Sequence, residues 1–325
     1  MASVKGPARH PSPGPLGLDP VVVGTAYCIV SAFCYTAANI CLRKLAGLKA
    51  DEMWVTCMKE VVTVGVIGPW LLVQAFRGRG FLPSARLLLL LVLTGLAVQL
   101  GGNLSVQWAF GVVGIAITVP AIFGVMLTAG AVFGLVFLGE RVPGRSVAAI
   151  GLLIGSVVLL SLGAGAGHAS SAGRVMLGVG AACLGGAMFA MLSTVIRSTA
   201  TARVPVTSIV FVITGMGVLS MGGLSVWRLG TQQLLATPGE QLAWMLAAGT
   251  CNLVAFLAIT KGLQLTTVVH ANVLNASQVA MAAVAGVIIF RESLNPWLAV
   301  GICLTIAGIV LIRGSSNGEQ EAGGV

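Results

Sequence analysis

From Val21 to Ile312 the chain passes through one apolar run after another, each about as long as a bilayer is thick. That spacing limits the fold before any single residue is weighed, because a helix needs about 20 residues to cross the hydrocarbon layer. Within that layer every backbone N–H and C=O must find a partner inside the protein, which helices provide along their whole length. Composition agrees: 57% of the 325 residues are apolar and 8% are charged, against about 25% charged in soluble domains. The expectation is an all-α polytopic membrane protein, with the lipid bilayer as its solvent.

Ten spans are predicted, at residues 21–42, 53–76, 87–110, 115–138, 146–162, 174–196, 206–227, 241–262, 267–290 and 297–312. A Gly/Ala/Ser linker at 163–173 separates two sets of five. Residues 1–20 and 314–325 read as disordered tails, since neither offers an apolar face to bury. The first tail has no apolar h-region, so it is read as cytoplasmic rather than as a signal peptide.

The two sets echo each other. Phe137-Leu-Gly-Glu-Arg-Val-Pro143 joins the fourth and fifth spans, and Ile289-Phe-Arg-Glu-Ser-Leu-Asn-Pro296 joins the ninth and tenth. Gly102-Asn-Leu104 is matched by Cys251-Asn-Leu253, and Pro120 and Asn272 each precede their hinge glutamate by 20 positions. A repeat with an odd number of spans must re-enter the membrane from the opposite side, so residues 21–162 and 174–313 are expected to form an inverted repeat. Eleven of the 18 lysines and arginines fall on the side of the N-terminus and six on the other, with Lys59 inside a span. This bias places both termini in the cytoplasm of a cell-membrane protein. The basic residues are scattered singly, which excludes a nucleic-acid surface. The seven cysteines lie inside apolar runs without a CxxC pair and read as small core residues.

The hinge Phe137-Leu-Gly-Glu-Arg-Val, the second hinge Phe290-Arg-Glu-Ser-Leu, Trp108-Ala-Phe110 and the Pro120-to-Glu140 segment together resemble EamA-type members of the drug/metabolite transporter superfamily. The resemblance covers about residues 21–313. It implies ten helices in two inverted five-helix units around a central cavity, with the fifth and tenth helices outside. It also implies carriage of amino acids, other small metabolites or drugs, frequently outward. The ninth span departs from the pattern, having Asn272 where a second proline would answer Pro120.

Polar residues inside spans mark the candidate site, because an unpaired amide in hydrocarbon costs several kcal/mol. Gln99, Asn103 and Gln107 recur at helical spacing in the third span, and Asn252 repeats Asn103 in the eighth. Two readings stand for Gln99 and Asn103: interhelical glue worth about 0.6–2 kcal/mol each, or a polar stripe along a watery cavity. Gln107, near the span's end, is expected to be solvated. Asn272, Asn275 and Gln278 crowd the first half of the ninth span, a density that favours cavity lining over packing. His270 nearby reads first as an interfacial histidine.

Lys59 and Glu60 lie two turns inside the second span. Lys59 is expected to snorkel outward; Glu60, with less reach, is the candidate for binding a substrate amine or a proton. Neighbours about 100° apart around a helix are not expected to pair with each other. Glu140 and Glu292 read as stabilising groups at helix junctions. The seams Gly130-x-x-x-Gly134 and Gly151-x-x-x-Gly155 are expected to pack helices within one repeat, and Pro69 and Pro120 to kink theirs.

The expected substrate-binding set is therefore Glu60, Gln99, Asn103, Asn252, Asn272, Asn275 and Gln278, in a secondary transporter of a small metabolite or drug-like compound, acting as monomer or homodimer. No cofactor or metal is expected, and no enzyme activity, since neither a nucleophile with its base nor a His/carboxylate cluster occurs within the spans. A nucleotide-sugar or phosphate-ester exchanger on the same fold, or a channel, is the alternative; the former would need deep Lys or Arg in several helices, and only Lys59 is offered.

Overall fold

The computed structural model describes residues 19–78, 83–139, 172–200, 202 and 204–291, with scattered residues between 148 and 159 and between 296 and 311. Among them are eight helices long and apolar enough to cross a membrane: α1 Pro20–Gly47, α2 Glu52–Phe76, α3 Ala85–Val113, α4 Ile115–Leu138, α5 Ala172–Thr199, α6 Val206–Leu235, α7 Gly239–Leu265 and α8 Val268–Ile288. They correspond to predicted spans one to four and six to nine. Most of the predicted fifth and tenth spans and of the hinges from Glu140 and from Glu292 onward, most of the linker and most of both tails lie outside the described residues.

Local chemistry sets the helix ends. Asp19 accepts from Val21 N at 2.9 Å, with Pro20 at the first helical position of α1. Asp51 caps α2 by accepting from Met53 N and Trp54 N, each at 3.0 Å. A single residue, Gly114, joins α3 to α4; its φ of 78° lies in the left-handed region that a side chain resists.

Three helices depart from regular winding: α6 breaks at Gly230, with φ 75° and ψ 157°, and α3 and α8 depart from it beside polar residues of the interior. In α3, Val98–Asn103 forms a π-helical segment, a widened turn that re-aims the side chains around it. In α8, Ala276 and Ser277 make a tight turn between Val268–Asn275 and Gln278–Ile288. Pro69 and Pro120, by contrast, sit inside helices that run on past them.

The closest packing runs between the two halves: α1 lies along α7, α2 along α6, and α4 along α5. Glycines permit it. A Cβ on Gly24 would fall 2.6 Å from Thr266 Cγ2, and one on Gly262 would fall 2.6 Å from Cys28 Sγ, so α1 and α7 meet almost backbone to backbone. Gly130 likewise faces Asn272 of α8 rather than a helix of its own half, contrary to the expectation of packing within one repeat. Large apolar side chains such as Phe33, Val66, Trp70, Phe76 and Leu219 point outward, as a lipid solvent requires.

The interior is layered. One apolar cluster, including Leu45, Val55, Phe110, Ile115 and Met245, packs toward the face where α1 ends. A second, including Leu71, Leu91, Ile209, Ile213 and Leu263, packs toward the face where α1 begins. Between them lies a polar layer.

Candidate functional site

That polar layer encloses a cavity of about 130 Å³ lined by side chains from all eight helices. Glu60, Gln99, Asn103, Asn252, Asn272, Asn275 and Gln278 all line it. α1 contributes Tyr35 and Asn39, α4 contributes Val119, Ile122, Phe123 and Met126, and α5 contributes Phe189 and Ser193.

Lys59 is the first departure from expectation. It does not reach the surface: it is 4% exposed, and its Nζ donates to Asn103 Oδ1 at 2.9 Å. It also pairs with Glu60 Oε1 at 3.2 Å. The Cα–Cβ directions of adjacent residues do diverge, but a four-carbon stem is long enough to swing the ammonium back. Lys59 lies seven residues into α2, about 10 Å from its end; at that depth a carboxylate is a better partner than distant water.

From this pair a bonded chain crosses the cavity wall. Asn103 Nδ2 donates to Gln99 Oε1 at 2.8 Å, and Gln99 Nε2 donates to Ile213 O on α6 at 3.3 Å. The π-helical turn holds both amides of that chain. Two glycines let the helices close on it. A Cβ on Gly217 would sit 2.8 Å from the Gln99 amide and from Glu60 Cγ, and one on Gly249 would sit 2.8 Å from Lys59 O.

α8 supplies the opposite wall. Asn39 Nδ2 donates to Gln278 Oε1, and the Ser193 hydroxyl donates to Asn272 Oδ1, both at 3.2 Å. Four buried polar atoms around the cavity have no partner among the described residues: Glu60 Oε2, Gln107 Oε1, Asn272 Nδ2 and Asn275 Oδ1. Such atoms are costly unless something else satisfies them.

Gln107 is the second departure. It is 2% exposed rather than solvated, and its Nε2 donates to Leu42 O at 3.2 Å, tying α3 to α1. It marks the rim of the cavity. One turn further along α1, α2 and α3 opens a vestibule of about 840 Å³, lined by Arg43, Lys49, Asp51, Trp54, Trp108 and Arg228 among others. Arg228 pairs there with Asp51 at 3.3 Å. The other end is closed more deeply. Thr25 Oγ1 and His270 Nε2 lie 3.0 Å apart, and Arg197 Nη1 donates to Leu263 O and Gln264 O at 3.4 Å. His270 thus joins α8 to α1 away from the cavity.

Asn39, Ser193 and Tyr35 were not singled out from the sequence. Asn39 left a trace, as the only amide side chain pointing out of an otherwise apolar stretch of the first span; Ser193 and Tyr35 are too ordinary in membrane helices to signal a site. Among the described residues no three His, Cys, Asp or Glu side chains group closely enough to hold a metal ion.

Residues 176–314 match the EamA-like transporter family. Over that stretch, which begins in α5 and runs past α8, the chain is similar to EamA-type transporters of the drug/metabolite transporter superfamily, and its eight long apolar helices are those of a multi-pass membrane protein. Among 28 solved chains that match it, one crystal structure superposes with a TM-score of 0.63, covering 89% of this chain and 95% of that chain at 17% identity, a likeness of fold. No curated protein matches the sequence.

Proposed function

We propose that the chain is a secondary carrier that moves a small polar or amphipathic metabolite through the central cavity by alternating access, in the outward direction. The observation that carries this reading is the polar cavity at mid-depth, flanked on both sides by apolar clusters. A site reachable from either face in turn needs such a place, with helices able to part on one side at a time.

The packing supports an inverted ten-helix repeat. Exchanging α1–α4 with α5–α8 maps the contacts onto themselves: α1 on α7 becomes α5 on α3, α1 on α8 becomes α5 on α4, and α2 on α6 is its own image. The lining repeats too. α1 presents Tyr35, Ala38, Asn39 and Leu42, and α5 presents Phe189, Leu192, Ser193 and Ile196 at identical spacing. With both termini in the cytoplasm of a cell-membrane protein, the vestibule opens outside. A single chain encloses the cavity, so a monomer suffices for transport whether or not it pairs.

Size favours a metabolite over a drug. A cavity of about 150 Å³ accommodates benzene, whereas drug-sized ligands occupy pockets of about 300–1,000 Å³; this one is about 130 Å³. Charge disfavours phosphate esters, because Lys59 is the one cationic side chain in the lining among the described residues and already pairs with Glu60. The proposed contacts are Glu60, Gln99, Asn103, Asn252, Asn272, Asn275 and Gln278. Purified protein in liposomes, screened with amino acids and common metabolites, tests the reading. Saturable flux accelerated by unlabelled solute on the far side is expected; conductance in large unitary steps would mark a channel instead.

A further inference from the structure

We infer that the buried Lys59–Glu60 pair is a charge filter: it confines the site to solutes without net charge, bearing hydroxyl or N–H donors, or to zwitterions that separate the pair and take one partner each. The inference rests on the carrier reading and narrows its substrate class.

The lining contains one cationic and one anionic side chain among the described residues, and they neutralise each other at 3.2 Å. A solute with a net charge entering this layer loses its hydration and meets no uncompensated opposite charge. An uncharged solute avoids that cost. A zwitterion can recover it, since its carboxylate can take the ammonium of Lys59 while its ammonium takes the carboxylate of Glu60.

The free valences point the same way. Glu60 Oε2 is an unpartnered acceptor on a residue 2% exposed, and Gln107 Oε1 and Asn275 Oδ1 are two more, against a single unpartnered donor, Asn272 Nδ2. An acceptor-rich pocket selects donor-rich solutes. Lys59 is held by Asn103, and Glu60 packs against Gly217, where any side chain would displace it. The pair is therefore built into the wall from three helices.

The test is thermal stabilisation of the detergent-solubilised full chain by a matched series on one branched four-carbon skeleton: amino acid, hydroxy amide, carboxylic acid and amine. The intact protein should favour the zwitterion and the neutral amide over either ion by at least about tenfold, within the penalty for an unpaired charge at membrane depth. Glu60→Gln should gain affinity for the carboxylic acid, and Lys59→Met for the amine. Because a lone buried charge can impair folding, the double variant Lys59→Met/Glu60→Gln is the control, expected to abolish the zwitterion's advantage over the neutral amide while gaining affinity for neither ion. A wild-type preference for either ion, or single variants that fail to gain the ion their remaining charge calls for, would overturn the inference. Binding is read without flux, so a chain that obeys the charge rule but carries no solute in liposomes would defeat the carrier reading and leave the filter standing.

Discussion

α4 and α8 meet across the same cavity with opposite chemistries. α4 lays Val119, Ile122, Phe123 and Met126 on it, and α8 lays Asn272, Asn275 and Gln278. α4 contains Pro120 yet winds on without interruption, whereas α8 has no proline and tightens at Ala276–Ser277, next to its amides. The two helices thus present unlike surfaces to one cavity. Under the carrier reading proposed above, the apolar wall is the part that excludes water and shapes a solute, and the amide wall the part that offers it hydrogen bonds. In α8 the irregular turn lies beside the cavity's amides, as the π-helical turn does at Gln99 and Asn103 in α3.

The contrast can be broken most severely at the joint between the walls. Gly130 of α4 fits closely: a Cβ there would lie 3.1 Å from Asn272 Nδ2 and 3.7 Å from Val268 Cγ1, so a branched side chain would push on both. Gly130→Val should cost about 1–3 kcal/mol of stability and abolish flux, with membrane abundance falling alongside. Abundance and flux at wild-type levels would mean that the walls are not in fixed contact.

The contrast is sharpened by truncating each wall in turn. Asn275→Ala and Gln278→Ala should each reduce flux on the order of tenfold, the effect of losing one or two hydrogen bonds of about 1 kcal/mol, while abundance on immunoblots stays level. Ile122→Ala on the opposite wall should lower stability with a smaller change in flux per folded molecule. Equal loss of abundance in all three would make the amides packing residues.

The smallest effect belongs to the support behind α8. Ser193→Ala removes the hydroxyl that holds Asn272, a bond of about 0.6 kcal/mol by membrane standards. It should raise the apparent KM by roughly threefold without lowering the maximal rate; a fall in rate instead would give Ser193 a part in the conformational change.

The positions of the eight described spans, and seven of the residues gathered around the cavity, were legible from hydropathy and from polar side chains inside the spans. In hydrocarbon an amide needs a reason to be there, so Asn103, Asn252, Asn275 and Gln278 stand out from the apolar residues around them. What stayed hidden depends on tertiary distance. That Lys59 turns back to Glu60 requires knowing that Asn103 lies within reach. That Gln107 is buried requires knowing that α1 passes beside it. The π-helical turn leaves no mark beyond Gly101 and Gly102, which fit many other conformations.

The most direct test of the account is whether both walls touch the same water. In a chain with its seven native cysteines replaced, single cysteines at Asn275, Ile122 and Val284 can be challenged with a membrane-impermeant thiol reagent; Val284 shares α8 with Asn275 but is 56% exposed on the outside of the bundle. The account predicts that Asn275→Cys and Ile122→Cys are modified and mutually protected by a transported solute, while Val284→Cys stays unreactive in lipid. Asn275→Cys as inert as Val284→Cys would contradict it.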